Sequence, residues 1–315
     1  MNDAPIGIFD SGLGGLTVAR AIMDKLPSED IVYLGDTANT PYGPRPIAEV
    51  RELTLAGLDL LVDQGVKMLV IACNTATAAA LADARERYST GMGIPVVEVV
   101  TPAAREAAVM TRNKRVGVIG TATTVASQVY TTALTPVPSL EVSQQACPVF
   151  VDFVEKGITT GPELTAIAAE YLQPLKEAGV DTLILGCTHY PLLTGLLARE
   201  MGEQVSLVSS SEAAANATYS ELVDRQMLHS PRTGHDGTFR LLGTQQSGLF
   251  ESLARRFLGP RVSVLEVVGT NASGAKTMQD DFAEGSEDPS GNTSLRDAAD
   301  PEESTTINER HEGQR

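Results

Sequence analysis

Tryptophan is absent from this chain, and aromatic residues make up only 4% of it. Bulk must come from Ala, Gly, Val and Leu, residues that suit helices packed closely on a parallel sheet. Basic residues are outnumbered, 24 Lys and Arg against 40 Asp and Glu, for a formal charge of −16. That balance argues against a nucleic-acid or anionic-membrane surface, since both need clustered Lys and Arg. No stretch of 18 or more apolar residues occurs, and no basic start leads into an apolar run with a small-residue cleavage site. The expectation is therefore a cytoplasmic protein with no membrane span. Cysteine is scarce as well. Cys73, Cys147 and Cys187, in a chain without a signal peptide, form no disulfide framework, and each alone reads as a small buried hydrophobe.

What is present begins with length: 315 residues at 42% apolar content support one large domain or two ordinary ones without disulfide or metal staples. Up to about Val268, short apolar runs alternate with amphipathic stretches. The runs Ile6–Phe9, Ile31–Leu34, Met68–Ile71, Val96–Val100, Val116–Ile119, Thr182–Leu185, Val205–Val208, Phe239–Leu242 and Val262–Val268 read as buried parallel strands. Ile47–Gln64 and Pro162–Glu177 read as helices, the second with Pro in its first turn and Gly179 just past its end. Repeated strand–helix alternation predicts a doubly wound α/β fold. From Gly269 the composition turns polar and acidic. The final 47 residues carry 11 acidic and 4 basic side chains, and they are expected to form a disordered acidic tail over 269–315.

The most informative feature is an internal repeat. Leu69-Val70-Ile71-Ala72-Cys73-Asn74-Thr75 resembles Leu183-Ile184-Leu185-Gly186-Cys187-Thr188-His189. Upstream of the first lies Ile6-Gly7-Ile8-Phe9-Asp10-Ser11, and upstream of the second Val116-Gly117-Val118-Ile119-Gly120-Thr121. Asp10 to Cys73 spans 63 positions and Thr121 to Cys187 spans 66, as two duplicated α/β halves would require. Ligands in open α/β sheets sit beyond the carboxyl ends of strands, where both cysteines fall on turns entering helices. A helix N-terminus there favours the thiolate. Cys147 lies outside the pattern and keeps its structural reading.

Several chemistries compete for these residues. The segment Asp10-Ser11-Gly12-Leu13-Gly14-Gly15-Leu16-Thr17 follows a strand, and Asp36 closes the next, as in a dinucleotide site. Thr17 replaces the third glycine, however, and Asp10 would oppose a pyrophosphate; the glycines fit better as a close backbone approach to a small ligand. Metal binding by Cys73, Cys187, His189 and Asp10 lacks the spacing of known sites. A redox pair 114 positions apart is unlike thiol–disulfide motifs. A hydrolase using Cys187 with His189 as base leaves Cys73 unexplained. Proton abstraction beside a carboxylate uses both cysteines, one as base and the other as conjugate acid on opposite faces of one substrate.

The motifs Asp10-Ser11-Gly12-Leu13-Gly14-Gly15, Gly35-Asp36-Thr37, Pro41-Tyr42-Gly43, Cys73-Asn74-Thr75, Gly120-Thr121 and Gly186-Cys187-Thr188-His189-Tyr190-Pro191, in this order, resemble the glutamate racemases. The resemblance implies interconversion of L- and D-glutamate without cofactor or metal, supplying D-glutamate for peptidoglycan. It implies two pseudo-symmetric doubly wound α/β domains with the active site in the cleft between them. The first domain would take residues 1–98 plus 207–268, and the second, inserted domain 99–206. Cys73 and Cys187 would be the acid/base pair, with Asp10 assisting Cys73 and His189 assisting Cys187. Ser11, Tyr42, Gly43, Asn74, Thr75 and Thr188 would hold the substrate, and Glu155 would stand near the second cysteine. An aspartate-specific racemase of the same superfamily is the alternative. The only expected partner is the small substrate, with a homodimer left open.

Overall fold

The computed structural model describes residues 2–230, 236–246, 248–258 and 265–269. Its strands are β1 (Ile6–Asp10), β2 (Ile31–Gly35), β3 (Met68–Ile71), β4 (Val96–Glu98), β5 (Arg115–Gly120), β6 (Glu141–Ala146), β7 (Thr182–Gly186), β8 (Ser206–Ser209), β9 (Phe239–Gly243) and β10 (Glu266–Val267). They form a six-stranded sheet ordered β10-β9-β2-β1-β3-β4 and a four-stranded sheet ordered β6-β5-β7-β8. Every pairing is parallel. The block β2-β1-β3-β4 thus has the same order as β6-β5-β7-β8, with β1 matched to β5 and β3 to β7. In each sheet the order reverses beside β1 or β5, the place where open α/β sheets bind ligands.

Parallel strands are covered on both faces, so β1, β2, β3 and β7 are buried at every position and read as unbroken apolar runs. Strand β6 is different. It lies at a sheet edge with the sequence EVSQQA and partial burial, and no apolar run marks it. The run read as Val96–Val100 also stops early, at Glu98. The Glu98 carboxylate accepts the backbone N–H groups of Val100 and Thr101 at 2.6 and 3.1 Å, so it starts the helix Val100–Met110. The helix expected over Ile47–Gln64 spans Ile47–Asp63, with Gln64 as its cap, and Pro162–Glu177 is a helix. Of the run Val262–Val268, only Glu266–Val267 is strand among the described residues. The acidic tail lies outside them, apart from Gly269.

The helix Leu16–Lys25 turns Leu16, Ala19 and Ile22 inward at helical spacing and packs on the helix Ser210–Asp224 through Ala213, Ala214 and Ala215. Burying a side chain such as Leu16 or Ile22 is worth about 1.5–3 kcal/mol. The small alanines let the helix axes approach. This apolar cluster continues through Ala103 and Ala107 to Val116, Val118 and Ile184 of the second sheet, so the two sheets share one core. Strand β8 crosses the boundary expected at 206/207. We propose that the first domain ends near Glu98 and resumes after Ser209. No described helix is long and apolar enough to cross a membrane.

Candidate active site

A cavity of about 240 Å³ opens at the carboxyl ends of the strands. That suits a ligand smaller than a drug-sized molecule, let alone a dinucleotide. Ser11, Tyr42, Gly43, Cys73, Asn74, Thr75, Cys187, Thr188 and His189 all line it, together with Thr121, Asp152 and Glu155. Of the residues expected at a site, Asp10 alone stands back from the lining. Both cysteines are 6% exposed, one just beyond β3 and the other just beyond β7. Cys147 is fully buried in the apolar cluster of the second sheet and does not line the cavity.

Cys73 caps the helix Asn74–Ala84, its sulfur accepting the Ala76 N–H at 3.4 Å and lying 3.5 Å from Ser11 Oγ. The helix terminus does not leave this thiol acidic, as its position in the sequence had implied. Burial, and then the Asp10 carboxylate behind it, push the thiol up to about 12, beyond what Ser11 and the Ala76 N–H recover. Asp10 is 1% exposed. Burial raises its own pKa, against backbone donors that include Gly12 N–H at 3.0 Å from Oδ2; Oδ1 has no hydrogen-bond partner.

Cys187 enters a 3₁₀ turn, Tyr190–Leu193, rather than an α-helix. Its sulfur lies 3.7 Å from His189 Nδ1, and His189 Nε2 lies 3.3 Å from Glu155 Oε1, without the alignment of a hydrogen bond. Burial alone would strip the proton from this imidazole. Its interactions with Cys187 and Glu155 overcome that and hold the pKa at about 10. At neutral pH His189 is therefore a cation with Nδ1 facing the second sulfur.

The glycine-rich turn serves these side chains. A methyl at Gly14 would meet Thr188 Oγ1 at 2.2 Å and the His189 ring at 2.6 Å; one at Gly15 would meet Asp10 Cβ at 2.5 Å. The glycines thus admit the site's own residues, a correction to their reading as a ligand approach. Thr17, in the third-glycine position, donates to Gly14 O and contacts Thr188 O and Ser211 Oγ, each at 2.9 Å. Asp36 is also committed, accepting from Tyr42 Oη and Thr244 Oγ1 at 2.6 Å and from Asn39. It shapes the Tyr42 loop and is not free for a ribose. Across the cavity, Thr75, Thr121 and Thr124 form a triangle of hydroxyls with edges of 3.0–3.3 Å. Thr123 donates to Gly43 O at 2.6 Å. Among the described residues, no group of three or more His, Cys, Asp or Glu is arranged to hold a metal.

Two thiols with unlike neighbours on one small cavity describe a site for moving protons at a compact ligand. The Asp/Glu/Hydantoin racemase family model matches residues 16–218. The chain belongs to this family. It is 57% identical over 280 residues to a protein named glutamate racemase from Beutenbergia cavernae, covering 85% of this chain and 96% of that one. A glutamate racemase of Saccharopolyspora erythraea is 57% identical over 263 residues, covering 84% and 95%. Among solved structures, that of glutamate racemase from Francisella tularensis in complex with D-glutamate superimposes with a TM-score of 0.79 at 33% identity. It covers 87% of this chain and 100% of that one. These family members carry the two-domain α/β architecture seen here.

Thr121, Asp152 and Glu155 join the cavity beyond the residues assigned as its binders from sequence. Thr121 stands at the β5 end as Ser11 stands past β1, so the repeat itself signals it. For Glu155 the only signal was likeness to the family.

Proposed function

We propose that this chain interconverts L- and D-glutamate by a two-thiol mechanism, and so supplies D-glutamate for peptidoglycan. The observation that carries the reading is the delivery of Cys73 and Cys187, by equivalent strands of two sheets, to one cavity. The names of the relatives supply the substrate.

One thiolate takes the α-proton: the Cα–H bond breaks, an S–H bond forms, and the electron pair passes into the adjacent carboxylate. The thiol on the other face then gives its proton to the planar carbon, and the two sulfurs exchange protonation states. Cys73, pushed up to about 12, is held as the thiol and serves as the acid. Cys187, with His189 Nδ1 3.7 Å from its sulfur, is its partner in the exchange. Buried hydroxyls and the Asn74 amide suit two carboxylates and an ammonium.

The test is incubation with L-glutamate in D2O, following optical rotation and α-proton exchange, with Cys73→Ala and Cys187→Ala in parallel. Wild type should racemise and exchange, and both variants should lose racemisation. A wild type that does neither overturns the glutamate reading. Racemisation retained in either variant overturns the two-thiol assignment.

A further inference from the structure

The amide of Asn74 has two unlike ends, and the fold has chosen between them. Asn74 opens the helix Asn74–Ala84, lines the cavity and is 2% exposed. Its Oδ1 accepts a hydrogen bond from Tyr130 Oη at 2.6 Å, while Nδ2 has no hydrogen-bond partner. Tyr130 is fully buried on the helix Val129–Leu134, packed in the cluster that holds Val116 and Val118 of β5. The bond joins residues 56 positions apart and from opposite sheets.

A buried phenol must find an acceptor, because an unmade buried hydrogen bond carries the full desolvation cost of the group. Within the amide only Oδ1 can accept; turned over, the amide would give an N–H to the phenol oxygen and leave the buried O–H without its acceptor. Tyr130 therefore keeps Oδ1 to itself and leaves the two N–H donors as the free end of a cavity-lining side chain. A carboxylate only accepts hydrogen bonds. With the amide reversed, lone pair would face lone pair.

We propose that Tyr130 is a positioning residue for this enzyme. It touches no substrate but fixes the Asn74 amide with its donor end available to a substrate carboxylate. The proposal rests on the racemase reading above. Because the tyrosine is anchored under the second sheet, the donor is correctly presented only while the two halves are docked.

Tyr130→Phe keeps the ring and removes the hydroxyl. The expected result is a KM for glutamate raised about tenfold with kcat changed less than twofold, the size of one hydrogen bond's loss. Tyr88 Oη bonds Leu55 O and Asp59 away from the cavity. Tyr88→Phe should therefore lower thermal stability and leave KM alone, which separates positioning from a merely structural bond. In an Asn74→Ala background, rates well below saturation should fall less than twofold on adding Tyr130→Phe, since no amide remains to orient. An unchanged KM in Tyr130→Phe, or an equal loss in both backgrounds, overturns the proposal. Wild-type racemisation in the same assays keeps its failure distinct from failure of the glutamate reading.

Discussion

Replacing Gly14 by alanine puts a methyl group where three atoms already stand. The new carbon would lie 2.2 Å from Thr188 Oγ1 and 2.6 Å from both Cε1 and Nδ1 of His189. Thr188 can turn about χ1 to make room. The imidazole is held at both nitrogens, because Cys187 contacts Nδ1 and Glu155 stands at Nε2. Relief must come from sliding the ring or the turn by several tenths of an ångström. Overpacking of this kind costs about 1–3 kcal/mol of stability. A displacement approaching 1 Å at a reacting group costs about 100-fold in rate. Gly14→Ala should accordingly lose about 10–100-fold in kcat/KM, measured by polarimetry, with thermal unfolding lowered by several degrees. The control is Gly195→Ala, in the helix Thr194–Met201 with nothing within 4 Å of the added carbon, which should be neutral or slightly stabilising. A Gly14→Ala enzyme within twofold of wild type would refute the argument that the turn seats His189.

Two more outcomes follow from charges. The His189 pKa is raised from 6.5 to about 10 on folding, so its contribution to stability is complete below pH 6.5 and disappears as pH rises through about 10. The stability gap between wild type and His189→Gln, from urea unfolding at pH 6 and pH 10, should shrink at the higher pH; a constant or wider gap contradicts the assigned partners. At the other end of the first sheet, just before the amino ends of β2 and β3, Lys67 Nζ lies 2.5 Å from Glu29 Oε2, with both side chains almost wholly buried. Lys67→Met alone should cost about 3–5 kcal/mol in the same assay, whereas Lys67→Met with Glu29→Leu should recover part of it. A single variant losing under 1 kcal/mol would show that the pair is solvated.

Legibility in the sequence followed burial. Strands covered on both faces declare themselves through Val and Ile runs, while β6, half-wet at an edge, offers only EVSQQA. The carboxylate of Glu98 ended β4 inside an apolar run, because a side-chain cap outweighs local propensity. The two cysteines could be paired because the repeat carried their strand ends with it. The glycine turn could be noticed but not interpreted. Its neighbours Thr188 and His189 come from the other sheet, as does the Tyr130 hydroxyl on Asn74. Contacts between the halves leave no local periodicity to read. Thr17 and Asp36 are hidden by distance along the chain, their partners being Thr188, Ser211 and Thr244.

The matched strand order of the two sheets does not extend to the surroundings of the two sulfurs: Cys73 has Ser11 and Asp10, Cys187 has His189 and Glu155. Enantiomers in solution have equal free energies, so a racemase must show identical kcat/KM with either hand of substrate, whatever its residues. The unlike neighbours of Cys73 and Cys187 can therefore appear only as compensating differences. The hand that binds more tightly must turn over proportionately more slowly. A duplicated fold with differentiated half-sites is free to set which enantiomer saturates it first, and hence how fast each hand turns over at high concentration, while the direction of net conversion and the final one-to-one balance stay fixed by the mixture.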